Sequence, residues 1–144
     1  MNSGCPFIHR VLCAGLLTVA LASGAAHAAA IDECYRKALN NTEVVPCLEA
    51  AHKQAQAEMA ASTKRLEAQL ADLERQTAVK GLVAAARKAQ ADFAPYLKAQ
   101  CKLVEATYAS GGGAAKAGLA CQVDLLRART AELDQLAPPA ARQP

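Results

Sequence analysis

Two pairs of cysteines, each arranged around a turn signal, limit what this 144-residue chain can fold into. In the first pair, Cys34 lies six residues before Asn40, and Cys47 lies six residues after Asn41. Neighbouring asparagines followed by threonine are typical of a turn. Positions at equal distances from the turn of an antiparallel helical hairpin lie side by side, so this spacing predicts a Cys34–Cys47 disulfide.

The second pair encloses a glycine triplet, Gly111, Gly112 and Gly113. Cys101 precedes the triplet by ten residues, and Cys121 follows it by eight. At a rise of about 1.5 Å per residue the two legs differ by only ~3 Å, so a Cys101–Cys121 disulfide is predicted. Four cysteines allow three connectivities, and the spacing favours the local one.

Apolar residues recur along the chain at steps of three and four, which is the period of an amphipathic helix. A short helix is predicted over residues 31–40, with Asp32 as its N-cap. A long proline-free segment covers residues 47–93, and its stripe of leucine and small residues suits packing along another helix. A last amphipathic helix is predicted over residues 119–136.

Two residues are expected to interrupt the long helical region. Gly81 costs roughly 1 kcal/mol relative to alanine inside a helix, so a bend is expected there. Pro95 removes a backbone hydrogen bond, so the helix is expected to kink or end near residues 92–94. No alternation typical of β-strands appears. The sequence therefore predicts an all-α fold: a small helical hairpin or bundle of about four helices, one of them long, with two disulfides.

The core available to such a bundle is thin. Aromatic residues make up 3% of the chain, tryptophan is absent, and alanine supplies much of the apolar 53%. Alanine favours helix but buries little area. Disulfides that close loops of this length contribute on the order of 3 kcal/mol each in the chain-entropy model, so the fold is expected to need them.

The first 28 residues have the pattern of a secretory signal peptide. A short segment with Arg10 precedes the apolar run VLCAGLLTVALA, and small residues with the cleavage pattern Ala26-His27-Ala28 follow. The run is too short for a membrane-spanning helix, so no stable membrane anchor is expected. Cleavage is predicted after Ala28, with Ala30 as the alternative. A single domain is then predicted over residues 29–137, with a disordered tail at residues 138–144, in the periplasm or outside the cell.

Removal of the signal peptide changes the inventory of side chains. The mature chain has 15 basic and 13 acidic residues, and its net charge of +2 without a basic run argues against nucleic acid as a partner. Cys5 and Cys13 leave with the signal, and an even number of cysteines in an exported chain indicates disulfides.

No enzyme, metal or cofactor is expected. The mature chain would keep a single histidine, His52, with Ser62 and Ser110 as its serines. His52 and Ser62 are about 15 Å apart along a helix, so they cannot form a nucleophile and base pair. The cysteine spacings also lack the CxxC pattern of zinc and thioredoxin-like sites.

The glycine triplet has three interpretations. The Walker pattern is missing, so a phosphate loop of that kind is excluded. An anion held at the following helix N-terminus near Lys116 is a second interpretation. The third is a C-cap in the left-handed conformation that reverses the chain between two helices. As a stapled loop, it is the candidate partner-binding segment, and its residues are Tyr108, Ser110, Gly111, Gly112, Gly113 and Lys116.

The C-terminal half resembles the LprI-like lysozyme-inhibitor family, of the N-terminal-domain type. In AQADFAPYLKAQC, residues 89–101, Gln90, Phe93, Tyr96 and Cys101 fall at the spacing of a family motif. The loop, the second cysteine and LLRARTAEL, with Arg129 and Glu132-Leu133, resemble the rest of that motif.

The resemblance covers nearly the whole mature chain, as that of a diverged member. Phe93 stands where the family usually has tryptophan, and Leu97 stands where it usually has arginine. The resemblance implies a small exported helical domain whose partner is a protein such as lysozyme, and which inhibits or modulates a wall-cleaving muramidase. The alternative is a structural protein of the cell envelope that pairs through its long helix as a coiled coil.

Overall fold

A computed structural model describes residues 29–108 and 111–137 of the chain. The predicted signal peptide and the predicted tail lie outside the described residues, as do Ala109 and Ser110. The described residues form four α-helices and no strands: α1 (Ala30–Lys37), α2 (Val44–Gln76), α3 (Leu82–Thr107) and α4 (Ala114–Leu136). The all-α prediction is confirmed, and α2, with 33 residues, is the long helix. None of the described helices is long and apolar enough to cross a membrane.

Helix α1 begins and ends earlier than the sequence pattern predicted. Its N-cap is Ala29, and Asp32 lies in the first turn without capping the helix. The helix ends at Lys37 because the next residues form a turn, in which Asn40 accepts a hydrogen bond at 2.9 Å from the backbone N–H of Thr42. Asparagine side chains compete with helix in this way, since they offer the backbone a local partner.

The predicted bend at Gly81 is a complete break between α2 and α3. Helix α2 ends at Gln76, and Gly81 adopts φ +84°, the left-handed region, as the N-cap of α3. The carboxylate of Glu74 accepts a hydrogen bond at 3.0 Å from the backbone N–H of Val83, so the end of α2 satisfies a free N–H at the start of α3. The chain therefore reverses here, and α3 packs back along α2.

Helix α3 does not end near residues 92–94, because it continues through Pro95 to Thr107. Proline removes the hydrogen bond that its own N–H would make to the carbonyl of Ala91. Both residues are exposed, so water can satisfy that carbonyl. Contacts of α3 with α2 and α4 on its other face outweigh the local cost.

Helix α4 packs against the other three helices, and most extensively against α2. The buried positions of α2 include Leu48, Ala55 and Ser62, which are seven residues apart, followed by Leu66. Small residues at two of these positions let α4 approach closely. The stripe that suggested pairing with another protein's helix is thus covered by α4 within the same chain. Buried residues on α4 complete the core: Ala117, Gly118, Ala120, Val123, Leu126 and Leu133.

The disulfides pair Cys34 with Cys47 and Cys101 with Cys121, as the spacing predicted. Their Cα atoms are 5.7 Å and 5.5 Å apart, which is normal for disulfides. Near the second bridge α3 and α4 come very close. A Cβ added to Gly118 of α4 would lie only 3.3 Å from the Cβ of Glu105 on α3.

Side-chain contacts fix the direction of each helix. Lys116, at the start of α4, donates a hydrogen bond to Asn41 just before α2, and Arg65 of α2 pairs with Asp134 near the end of α4 at 2.8 Å. Helices α2 and α4 therefore run parallel, and α3 runs in the opposite direction beside them. The α1–α2 loop and the α3–α4 loop consequently lie at the same end of the bundle.

An ion pair joins α1 to α4. The guanidinium of Arg127 donates to both carboxylate oxygens of Glu33 at 3.1 Å. These hydrogen bonds hold the pKa of Glu33 below its ordinary value. About three-quarters of each side chain is shielded from solvent, so the pair is better protected than a typical surface pair.

Replacement of Arg127 by glutamine should lower the free energy of unfolding by about 1 kcal/mol at pH 7. Because the pKa of Glu33 is depressed in the folded state, the stabilisation by the ion pair is fully present above the carboxyl's unfolded pKa. It is lost as the pH falls through the folded pKa. Urea unfolding from pH 7 to pH 2.5 should show the two proteins converging at low pH. Arg36→Gln, an exposed cation on α1, is the control, and a difference that persists unchanged at low pH would contradict the ion pair's role.

Gly81→Ala should lower the free energy of unfolding by about 1 kcal/mol, because its left-handed φ is strained for a residue with a Cβ. Gly112→Ala is the matched control. Its φ lies outside the left-handed region, and a Cβ there meets nothing within 4 Å, so no loss of stability is expected. Equal losses in the two variants, measured by urea unfolding, would show that the break does not depend on the glycine conformation.

Candidate partner-binding site at the end of the bundle

The two loops that meet at one end of the bundle are held together by Lys116. Its ammonium bonds Asn41 in the α1–α2 loop and lies 5.6 Å from the centre of the Tyr35 ring on α1. A cation over an aromatic face is attracted by the ring's electron density. The contact fixes the start of α4 against the α1–α2 loop.

Several large side chains are exposed toward this end, among them Leu39, Tyr35 and Tyr108. Leu39 is 91% exposed, Tyr35 is 49% exposed and Tyr108 is 55% exposed. We call these three residues the end patch. Tyr108 directly follows α3. Its ring lies near the glycine triplet, since a Cβ on Gly113 would be 3.7 Å from it. Their exposure at one end of a small domain makes these three side chains candidates for contact with another protein.

A hydrogen-bond network fixes the backbone that carries Leu39. The carboxylate of Glu43 accepts from the backbone N–H of Leu39 at 2.9 Å and from the amide of Asn40 at 3.0 Å. Asn40 in turn accepts from Thr42, and the Cys34–Cys47 bridge closes the segment. Leu39 is therefore presented to solvent on an ordered turn.

The structure places the predicted loop residues at this end, with one correction. None of the three glycines of the triplet adopts a left-handed φ, so the predicted left-handed C-cap is wrong there. The left-handed glycine is Gly81, in the other interhelical turn. Ser110 lies outside the described residues. Lys116 contacts α1 and the α1–α2 loop, so its ammonium group already has partners within the chain.

Sequence reasoning missed Leu39 and Tyr35. Leu39 fell inside the helix predicted over residues 31–40, where a leucine would be counted as core. Asn40 and Asn41, which follow it, indicate a turn. A turn that begins two residues earlier leaves Leu39 outside the helix and exposed. Tyr35 carries no comparable signal, because its exposure depends on where α4 begins.

The residues considered for catalysis do not form a site. Ser62 is buried, and its hydroxyl accepts a hydrogen bond at 2.7 Å from Arg65 on the same helix. Across residues 29–108 and 111–137, no group of three or more histidine, cysteine and acidic side chains is placed to hold a metal.

The motif residues of the C-terminal half meet between α2, α3 and α4. Arg129 donates at 2.7 Å to Gln90, which donates at 2.9 Å to Thr63. The guanidinium also lies 5.5 Å from the centre of the Phe93 ring and 3.1 Å from Glu132. We call this group the three-helix clasp. Its members come from three separate helices, so the motif secures their packing.

The family model for lysozyme inhibitor LprI matches residues 22–133. The chain belongs to the LprI lysozyme inhibitor family. This confirms the resemblance carried by the cysteines and by Gln90, Phe93 and Arg129. Comparisons with curated proteins and with solved structures give no match. Membership of the LprI family favours a lysozyme-inhibitor-like function with a protein partner, rather than an enzyme.

Replacement of Glu43 by alanine should free the backbone of Leu39. The hydrogen bond from the Leu39 N–H to the carboxylate would be lost, and its amide should exchange with deuterium roughly five to ten times faster. Native-state hydrogen exchange followed by NMR would measure this. Glu49→Ala, which removes an exposed glutamate from the same helix, should leave the rate unchanged. Unaltered exchange in the Glu43 variant would mean that the turn is ordered by other contacts.

Proposed function

We propose that this protein is exported through a cleaved signal peptide and inhibits or modulates a wall-cleaving muramidase such as lysozyme, using the end patch as its contact surface. Export is supported by the signal-peptide pattern of residues 1–28 and by the even number of mature cysteines. Inhibition is supported by membership of the LprI family.

The exposure of Leu39 on an ordered turn is the observation that carries the choice of surface. Burial of a leucine side chain by a partner contributes roughly 1.5–3 kcal/mol relative to leaving it in water. Because the turn is already ordered by Glu43 and the disulfide, little conformational entropy is lost when a partner covers it. The two tyrosines supply rigid, partly polar contact area of the kind enriched at interfaces.

Charge has a secondary part in the proposed contact. The mature chain has a net charge of only +2, whereas steering toward a basic lysozyme would favour an acidic inhibitor. Glu43 and Lys116, two of the charged side chains beside the end patch, are hydrogen-bonded within the chain. Arg36 and Lys37, which are exposed in the last turn of α1, would not attract a basic partner. Burial of apolar area is therefore the main source of affinity, and inhibition should change little between low and physiological salt.

The double variant Leu39→Ser with Tyr108→Ser should lose inhibition at least tenfold, because hot-spot side chains at interfaces each contribute about 2 kcal/mol or more. The measurement is the rate at which lysozyme clears a suspension of cell walls, with the oxidised mature protein in excess. Leu136→Ser is the matched control. That leucine is 63% exposed at the opposite end of the bundle, near the end of α4.

Two outcomes would contradict the proposal in different ways. If the unmodified protein leaves the lysozyme rate unchanged, the inhibitory function is wrong. If it inhibits, and the end-patch and Leu136 variants inhibit equally well, the function stands but the contact surface lies elsewhere. Circular dichroism of each variant would verify that the helices are retained.

A further inference from the structure

Ala29 is the first residue that the structure describes, and it leads directly into α1. The carbonyl of Ala29 accepts hydrogen bonds from the backbone N–H groups of Asp32 at 2.9 Å and Glu33 at 3.2 Å, which starts α1. The next residue, Ala30, is 0% exposed and belongs to the hydrophobic core with Cys34. These two alanines are therefore structural residues of the domain.

A carboxylate from α4 receives the start of α1. The backbone N–H of Ala30 donates to Asp124 at 2.9 Å, across 94 positions in sequence. Burial raises the pKa of Asp124, and the nearby Glu33 and Asp32 raise it further, whereas the hydrogen bond from Ala30 and the charge of Arg127 lower it. The carboxylates of Asp32, Glu33 and Asp124 thus lie near one another around the first turn of α1, with Arg127 bonded to Glu33. An additional positive charge would be stabilised at this position.

We propose that, after the predicted cleavage between Ala28 and Ala29, the new α-ammonium group of Ala29 forms an ion pair with Asp124. The inference rests on the proposed export of the chain. Cleavage is a hydrolysis: water adds its hydroxyl to the carbonyl carbon of Ala28 as the Ala28–Ala29 peptide bond breaks. The nitrogen of Ala29 keeps the bonding electrons and takes up a proton. At neutral pH it is largely protonated again to an ammonium, since the pKa of an α-amino group is about 7.7–8.0.

The distance between the two groups makes this pairing available. Consecutive Cα atoms are about 3.8 Å apart, so the nitrogen of Ala29 is only one residue from the N–H that Asp124 already accepts. Before cleavage the same nitrogen is a neutral amide. Processing therefore adds a cation beside Asp124 without moving the core.

Cleavage at the alternative position, after Ala30, would damage the fold. It would remove a fully buried core residue, the N–H bonded to Asp124, and the carbonyl of Ala29 that starts α1. The structure thus favours the first of the two cleavage positions that the sequence allows.

The first test is the intact mass of the protein recovered after export of the full chain. The expected product begins at Ala29. An exported product that begins at Ile31 would overturn the inference and leave the proposed export standing. A chain that stays uncut inside the cell would overturn both.

The second test measures the ion pair in the exported product. The α-amine is acetylated near pH 6.5, where it reacts ahead of the lysines because its pKa is lower. Blocking should raise the unfolding equilibrium constant on the order of tenfold in the unmodified protein. In Asp124→Asn, which keeps an oxygen to accept from Ala30 but removes the charge, blocking should change the constant less than twofold.

Glu49→Gln is the control for that cycle. It removes an exposed carboxylate from α2, so blocking the amine should still weaken this variant about as much as the unmodified protein. An equal effect of blocking in the Asp124 variant and in the unmodified protein would overturn the pairing, even if the chain begins at Ala29.

Discussion

The close approach of α2 to α4 is the constraint on which the rest of the structure depends. With so few large side chains, the chain can exclude water only where helix backbones come near each other, and the small buried residues Ala55 and Ser62 on α2 permit that. Helices α2 and α4 run parallel, so the connection between them must cross the length of the bundle, and α3 supplies it. Once these three helices are placed, α1 covers the open core around Leu48 and Val123.

The two ends of the bundle are stabilised by different means. At the end that carries the α1–α2 and α3–α4 loops, disulfides join α1 to α2 and α3 to α4. Toward the other end, the three-helix clasp of Arg129, Gln90 and Thr63 and the ion pair of Arg87 with Glu67 hold the helices without covalent links. The covalent links are thus concentrated near the end patch, which suits a surface that has to keep its shape when a partner binds.

The sequence predicted those features that depend on local spacing. Equal distances from a turn were enough to pair the cysteines, and the three-four period was enough to find the helices. The misses came from interactions between distant residues. Pro95 lies within a continuous helix because α2 and α4 support its buried face, and the turn at Gly81 is sharper than a bend because Glu74 caps α3.

For the candidate site, the sequence identified one of its two loops. The exposure of Leu39 follows from the early end of α1 and from the Glu43 network, neither of which has a periodic signature. Motif resemblance pointed to Gln90, Phe93 and Arg129 but not to their mutual contact. That contact requires the register of three helices, which only the assembled fold defines.

The disulfide connectivity has a consequence for the order of folding. Each bridge joins two cysteines that are consecutive among Cys34, Cys47, Cys101 and Cys121. In the proposed export from the N-terminus, Cys47 would meet Cys34 long before Cys101 emerged, and Cys121 would find only Cys101 still unpaired. A chain oxidised in order of emergence would therefore reach its native pairing directly. The slow thiol exchange that corrects wrong bridges would not be required for maturation.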